Sequence, residues 1–223
     1  MNLLTIVQDS LYFFRTHLFS IVRLCLPLLA LQSVAEQLVD AQVHSASRGA
    51  FDILIGLLFY PIYTAALILY LDSRSNGEHP PLRLLLATGM RLWPRFALLA
   101  AVCSLAVLLG MALYLLPGLW LMARLAFSEY LMVLRGLGPL DAIKQSFALT
   151  KAPFWRVLSC VLIVLIPLWL LDAASATVWP DDDNPWLTLA IDCVSGLVQL
   201  LTTVLLFRLF MLETDPTLRE PRA

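Results

Sequence analysis

Six apolar runs constrain the fold of this chain more than any other feature of its sequence. They cover residues 18–39, 51–71, 96–116, 119–134, 157–178 and 186–212. Each residue of an α-helix rises about 1.5 Å, so about 20 apolar residues cross the hydrocarbon core of a bilayer. Lipid cannot satisfy an open backbone, which leaves helices as the reasonable spanning structure. We therefore predict an all-α, polytopic membrane protein with six transmembrane helices, built as a single integral membrane domain over residues 1–223.

The composition supports this class and excludes others. Of the 223 residues, 60% are hydrophobic and 14% are charged, and the mean hydropathy is +0.82. An ordinary globular domain is about 25% charged. The net charge of −1 gives no reason to expect a nucleic-acid partner. The four cysteines lie inside apolar runs without a CxxC pair, so we expect free, buried thiols.

Lysine and arginine are distributed unevenly over the connections between the runs. Eleven lie in the N-terminal segment, after the second run, after the fourth run and in the C-terminal segment, whereas Arg48 is alone on the other three connections. Cytoplasmic loops carry the excess of basic residues. We therefore predict six membrane-spanning helices with both termini cytoplasmic.

A short amphipathic segment precedes each odd-numbered run. Residues 4–16, 81–93 and 139–152 carry apolar side chains at helical spacing, with polar or basic side chains between them. In the third segment Leu140, Ile143, Phe147 and Thr150 are predicted to share one face. We expect about three helices in the cytoplasmic interface; the alternative is an ordered loop packed on the bundle ends. Helix plus hairpin then occurs three times, over 1–74, 79–135 and 138–213, which predicts a three-fold repeat.

Basic residues on two of these segments form a predicted cytoplasmic collar, defined here by Arg83, Arg91, Lys144 and Lys151. Each basic residue close to an anionic membrane surface contributes about 1 kcal/mol of attraction. Anionic phospholipids are therefore the expected partners, with a membrane protein as a second expected partner.

Three stretches resemble bacterial YciC-like membrane proteins. Residues 116–127, LPGLWLMARLAF, resemble that family's signature of Pro-Gly, an aliphatic stretch and a small residue before Arg. Residues 138–150, GPLDAIKQSFALT, look like its basic amphipathic segment, and residues 207–212, FRLFML, look like its C-terminal end. The family is loosely related to the membrane domain of some glycerophosphodiester phosphodiesterases, whose catalysis sits in a separate soluble domain. The resemblance implies a bacterial inner-membrane protein of about six helices and supplies no catalytic residue.

Charged residues deep inside apolar runs are candidate functional residues, because each costs about 2.5–3.5 kcal/mol at the bilayer centre. Arg124, Glu129 and Asp192 are the deepest of them. Arg124 and Glu129 differ by about 140° around a helix, so each should face a different neighbour. Arg124 and Asp192 lie at similar predicted depths, which predicts an interhelical ion pair. Such a pair either locks the bundle or marks a polar site or pathway.

Motifs of enzymes and metal sites are not found. The sequence has no HExxH, GxSxG, Walker A or GxGxxG motif. Asp181, Asp182 and Asp183 lie between two tryptophans. We interpret them as a solvated acidic turn; the alternative is a site for a divalent cation. We therefore predict no enzyme, no cofactor and no metal. The leading function is a non-catalytic inner-membrane protein that interacts with lipid or a partner in envelope maintenance; the alternative is a small transporter or channel subunit with a polar route at Arg124, Glu129 and Asp192.

Overall fold

The computed structural model describes residues 3–40, 48–178 and 185–214, and these residues are mostly helical. Strands do not occur in these ranges. The helices in chain order are α1 (Leu3–Asp40), α2 (Arg48–Ser75), α3 (Leu82–Leu113), α4 (Leu115–Leu125), α5 (Ser128–Arg135), α6 (Pro139–Leu149), α7 (Phe154–Val178) and α8 (Pro185–Thr214). The predicted all-α class is confirmed.

Helices α1, α2, α7 and α8 pack as an antiparallel bundle. The ring of His17 in α1 lies 6.4 Å from that of Tyr70 near the end of α2. Ser33 in α1 contacts Asp192 in α8. Arg156 at the start of α7 forms a 3.1 Å ion pair with the end of α8. The N-terminal ends of α1 and α7 therefore lie together with the C-terminal ends of α2 and α8.

Apolar side chains cover much of the outer surface. Leu98, Leu105 and Leu109 of α3 are 58%, 59% and 59% exposed. A contiguous apolar surface of this kind is unfavourable in water and suits contact with lipid tails. Within the described residues, four helical segments are long and apolar enough to cross a membrane: Val7–Val39, Phe51–Ser75, Leu82–Leu113 and Ile191–Thr214. A fifth span results if the bent pair Pro139–Leu149 and Phe154–Leu170 is counted as one.

The predicted fourth span is not one helix, so six spans are not confirmed. The run 119–134 is divided between α4 and α5, which have 11 and 8 residues and meet at a turn over Ala126 and Phe127. Each piece is too short to cross a bilayer, since about 20 residues are needed.

The hairpin between α3 and α4 is present, but its turn lies earlier than predicted. Tyr114 interrupts the helices with an extended backbone, and Pro117 lies in the first turn of α4, where proline is tolerated. Gly118 packs directly against α3: a Cβ atom there would lie 3.0 Å from the backbone nitrogen of Met111. The Pro-Gly pair therefore provides close packing of the hairpin and does not form its turn.

Two of the three predicted interfacial helices are not separate elements. Residues 4–16 continue into α1, which has 38 residues, and residues 82–93 continue into α3. Pro94 lies inside α3 without ending it, as membrane helices often tolerate. Trp93 donates a 2.9 Å hydrogen bond to the carbonyl of Leu58, so this part of α3 packs on α2. The three-fold repeat and the single domain stay predictions.

Candidate functional site

Helix α6 is the one predicted interfacial segment that forms a separate helix. Gly136, with φ of +64°, ends α5 in the left-handed region, and Pro139 lies in the first turn of α6. A break of four residues follows, and α7 begins at Phe154. The axes of α6 and α7 differ by 107°. Helix α6 therefore runs crosswise to α7.

Small and hydroxyl-bearing side chains form the inner face of α6. Ala142, Ser146 and Thr150 are fully buried, whereas Leu140 is 66% exposed. The hydroxyl of Ser146 donates to the carbonyl of Arg124 at 2.7 Å and accepts from the backbone N–H of Phe127 at 3.2 Å. Polar anchoring to the α4–α5 break thus decides which face of α6 is turned inward. Thr150, which was predicted to share a face with Leu140, is buried, whereas Leu140 is exposed.

The four residues of the cytoplasmic collar are all exposed. Arg83 and Arg91 lie on α3, Lys144 lies on α6, and Lys151 follows α6. None of them forms an ion pair with a carboxylate in the described part of the chain. Trp155, 75% exposed, is close in sequence to Lys151. Their charges are therefore available to an external anion.

Arg124 does not pair with Asp192, so that prediction is wrong. Its guanidinium carbon lies 5.5 Å from the ring centre of Trp120 and 5.2 Å from that of Phe147. A guanidinium between two aromatic faces gains cation–π attraction. It also lies in the last turn of α4, where the helix dipole favours a cation. These aromatic contacts, and not a carboxylate, hold the charge.

Glu129 faces a different neighbour from Arg124, as its position on the helix predicts. Its Oε1 accepts a 2.7 Å hydrogen bond from the hydroxyl of Tyr60 in α2. The ring of Tyr60 in turn packs edge-on against Tyr63, with centroids 5.7 Å apart. Glu129 therefore joins the short helix α5 to the second spanning helix.

Asp192 lines a cavity at the bundle end opposite to the Arg156 ion pair. Its Oδ2 accepts a 2.5 Å hydrogen bond from the hydroxyl of Ser33. The cavity measures 340 Å³. Its lining residues are Leu29, Gln32, Ser33, Glu36, Tyr63, Leu165, Leu168, Trp169, Asp192, Ser195, Gly196 and Gln199. Sequence analysis missed the polar residues that α1 contributes, although Gln32 and Glu36 at i, i+4 spacing were a readable signal.

The predicted acidic turn, metal ligands and cysteines remain to be located in the structure. Asp181, Asp182 and Asp183 lie outside the described residues. Within the described ranges, no three His, Cys, Asp or Glu side chains come together in a way that could hold a metal. Cys25 and Cys160 are buried free thiols, and Cys103 and Cys193 are free and half-buried.

The Tyr60–Glu129 contact gives a testable prediction of coupling between α2 and α5. Tyr60→Phe removes the donor while keeping the ring, so we expect the free energy of unfolding in mixed micelles to fall by about 1–2 kcal/mol. The double variant Tyr60→Phe, Glu129→Met removes both polar partners and should cost less than the two single variants together. Strictly additive costs in this double-mutant cycle would show that the two side chains do not interact.

Comparison with known proteins gives one similarity over most of the chain. The protein named UPF0259 membrane protein SG1383, from Sodalis glossinidius (strain morsitans), is 27% identical over 191 residues, which is 82% of this chain and 74% of that protein. No family model matches the chain. No solved structure matches it. Similarity to a bacterial membrane protein, together with several long apolar helices, identifies the chain as a multi-pass membrane protein.

Proposed function

We propose that the chain is a non-catalytic bacterial inner-membrane protein that binds anionic phospholipid head groups through the cytoplasmic collar, in envelope maintenance. The observation that most supports this proposal is the orientation of α6. The helix lies at 107° to α7 and presents Lys144 on its exposed surface. In the proposed arrangement α7 crosses the bilayer and α6, with its basic exposed face, lies along the membrane surface at the depth of the head groups.

The surroundings of the collar suit lipid better than a soluble anion. Leu140 and Trp155, 66% and 75% exposed, are large apolar side chains near the two lysines. Tryptophan is enriched at the membrane–water boundary, and lysine extends its charge from that boundary toward head groups. Apolar anchors beside unpaired cations fit an anionic phospholipid, which offers both acyl chains and a phosphate.

The proposed orientation places the collar and both termini in the cytoplasm. Arg74, Arg156 and Arg208 lie at the bundle end where α2 and α8 finish and α7 begins. Glu36 and Asp192 line the cavity at the other end. An excess of basic residues on the cytoplasmic side supports this orientation. A partner membrane protein at the same surface is the second expected ligand.

A transporter or channel with a route through Arg124, Glu129 and Asp192 is not favoured. Arg124 contacts Trp120 and Phe147, Glu129 contacts Tyr60, and Asp192 contacts Ser33. These are three separate environments in the described structure. The name of the bacterial relative specifies no reaction, and the proposal needs no catalytic step.

The lipid proposal is tested by neutralising the collar. We expect the variant Arg83→Gln, Arg91→Gln, Lys144→Gln, Lys151→Gln to bind phosphatidylglycerol or cardiolipin about tenfold more weakly. Four attractions of about 1 kcal/mol each are lost, reduced by salt screening of exposed charges. Titration of each lipid into protein in zwitterionic nanodiscs measures the change.

The control keeps the charge and changes the side chains. Arg83→Lys, Arg91→Lys, Lys144→Arg, Lys151→Arg should bind these lipids as the unchanged protein does. Equal binding by the neutralised and unchanged proteins, or equal loss in both variants, would refute the collar as the lipid site.

A further inference from the structure

We propose that Arg124 binds the phosphate of one anionic phospholipid, whose acyl chains lie along the exposed side of α4. The inference rests on the proposed function in one respect, since it needs α6 at the depth of the head groups. It adds a single lipid site to the collar, and at this site the shape of one guanidinium matters as well as its charge.

The guanidinium of Arg124 has donors that no group in the described chain uses. Its Nε atom is buried, whereas its two terminal nitrogens are neither buried nor hydrogen-bonded within the described residues. No carboxylate of these residues forms an ion pair with Arg124, and Glu129, the nearest acidic residue in sequence, accepts from Tyr60. Arginine carries only N–H donors and no acceptor. The outer edge of this guanidinium can therefore receive an external anion.

Two aromatic rings and a backbone hydrogen bond fix the position of this guanidinium. Its carbon lies 5.5 Å from the ring centre of Trp120 and 5.2 Å from that of Phe147, and the two rings contact each other edge-on. Ser146 donates to the carbonyl of Arg124 at 2.7 Å, which anchors the end of α4 to α6. A guanidinium held in place presents two parallel N–H groups to two oxygens of a phosphate. The arrangement therefore suits bidentate binding of a phosphate.

An apolar stripe on α4 leads to Arg124 and favours a lipid over a soluble phosphate. Leu116, Trp120 and Arg124 follow one another at intervals of four residues, so they lie on one side of the helix. Leu116 and Trp120 are 79% and 45% exposed. The stripe extends about 12 Å, since each helical residue rises about 1.5 Å. Acyl chains along this stripe would bring the phosphate of the same lipid to the guanidinium.

The charge of the head group distinguishes anionic from zwitterionic lipids at this site. The ammonium of a zwitterionic lipid is attracted to its own phosphate and is repelled by the guanidinium of Arg124. Phosphatidylglycerol carries no such ammonium, so its phosphate is the stronger ligand for Arg124.

The test titrates dioctanoylphosphatidylglycerol calorimetrically into the full chain in zwitterionic micelles. Binding should saturate at one lipid per chain, and dioctanoylphosphatidylcholine, which has the same acyl chains, should bind at least about tenfold more weakly. Inorganic phosphate at the same concentration should not displace the lipid, because it has no acyl chain to contact α4. Arg124→Lys keeps the charge and loses the planar fork, so this variant should bind the lipid about tenfold more weakly or worse.

The matched control is Arg135→Lys, the same change at an exposed arginine of α5. It should leave binding unchanged, and thermal unfolding of both variants should show that they remain folded. If Arg124→Lys fails to fold, Trp120→Leu repeats the test, with an expected loss of about threefold in affinity. Full affinity in a folded Arg124→Lys or Trp120→Leu variant, equal binding of the two lipids, or displacement by inorganic phosphate would overturn the proposal. Normal binding by the neutralised collar variant, with a loss in Arg124→Lys, would refute the collar and support this site.

Discussion

Replacing Ser146 by alanine is expected to lower the free energy of unfolding by about 3 kcal/mol, because one buried hydroxyl serves two backbone groups. Ser146 is fully buried and joins the carbonyl of Arg124 to the N–H of Phe127. Both groups belong to the break between α4 and α5, where the helical hydrogen-bond ladder is interrupted. The alanine variant would leave the N–H of Phe127 without this acceptor. The α4–α5 segment should then lose its connection to α6.

Unfolding in mixed micelles measures the effect, and the chain offers two controls. Ser104→Ala, at an exposed position of α3, should change stability by less than about 0.5 kcal/mol. Thr150→Val should lower the free energy of unfolding less than Ser146→Ala. The hydrogen bond from Thr150 to the carbonyl of Arg124 is longer, at 3.3 Å, and Ser146 still donates to the same carbonyl when Thr150 is replaced. A Ser146→Ala variant as stable as the Ser104→Ala control would show that the break does not depend on this hydroxyl.

The class of fold follows from the sequence because hydropathy acts over whole segments. Apolar runs of about 20 residues correctly predict long helices, and α1, α2, α3 and α8 contain membrane-length spans. The run 119–134 shows the limit of this reasoning. It is the shortest of the runs and holds Arg124 and Glu129, and Ser146 of α6 accepts a hydrogen bond from the backbone N–H of Phe127 where the helix is interrupted. Counting apolar residues along the sequence cannot predict such a long-range contact.

Site residues are predicted less well than helices because polar partners are tertiary. The sequence singles out Arg124, Glu129 and Asp192 by their cost in lipid. It assigns Arg124 to Asp192 by depth along the helices, whereas the structure places its guanidinium between aromatic rings. Depth gives the position of a side chain along the membrane normal. It does not give the direction in which the side chain points around its helix, or which helix it faces. The basic residues of the collar are easier to predict, because they need only be exposed and no tertiary partner has to be identified.

Gly89 of α3 lies directly against the backbone of α2. A Cβ atom at this position would lie 2.9 Å from the carbonyl oxygen of Ile62 and 3.5 Å from the backbone nitrogen of Ala66. Both neighbours are backbone atoms of a helix, so neither can turn aside as a flexible side chain could. Small residues of this kind let membrane helices pack closely, and a larger side chain forces the two helices apart.

Gly89→Val should therefore lower the free energy of unfolding by about 3 kcal/mol, the upper part of the range for overpacked cores. Gly56→Val is the matched control on α2, because a Cβ atom at Gly56 meets nothing within 4 Å. Both variants introduce valine into a helix. The difference between their free energies of unfolding in mixed micelles therefore measures the cost of the steric clash at Gly89. Movement of α3 should also break the Trp93–Leu58 hydrogen bond and shift the fluorescence of Trp93, measured with the other tryptophans replaced. If Gly89→Val and Gly56→Val unfold alike, α2 and α3 are not packed as closely as this contact requires.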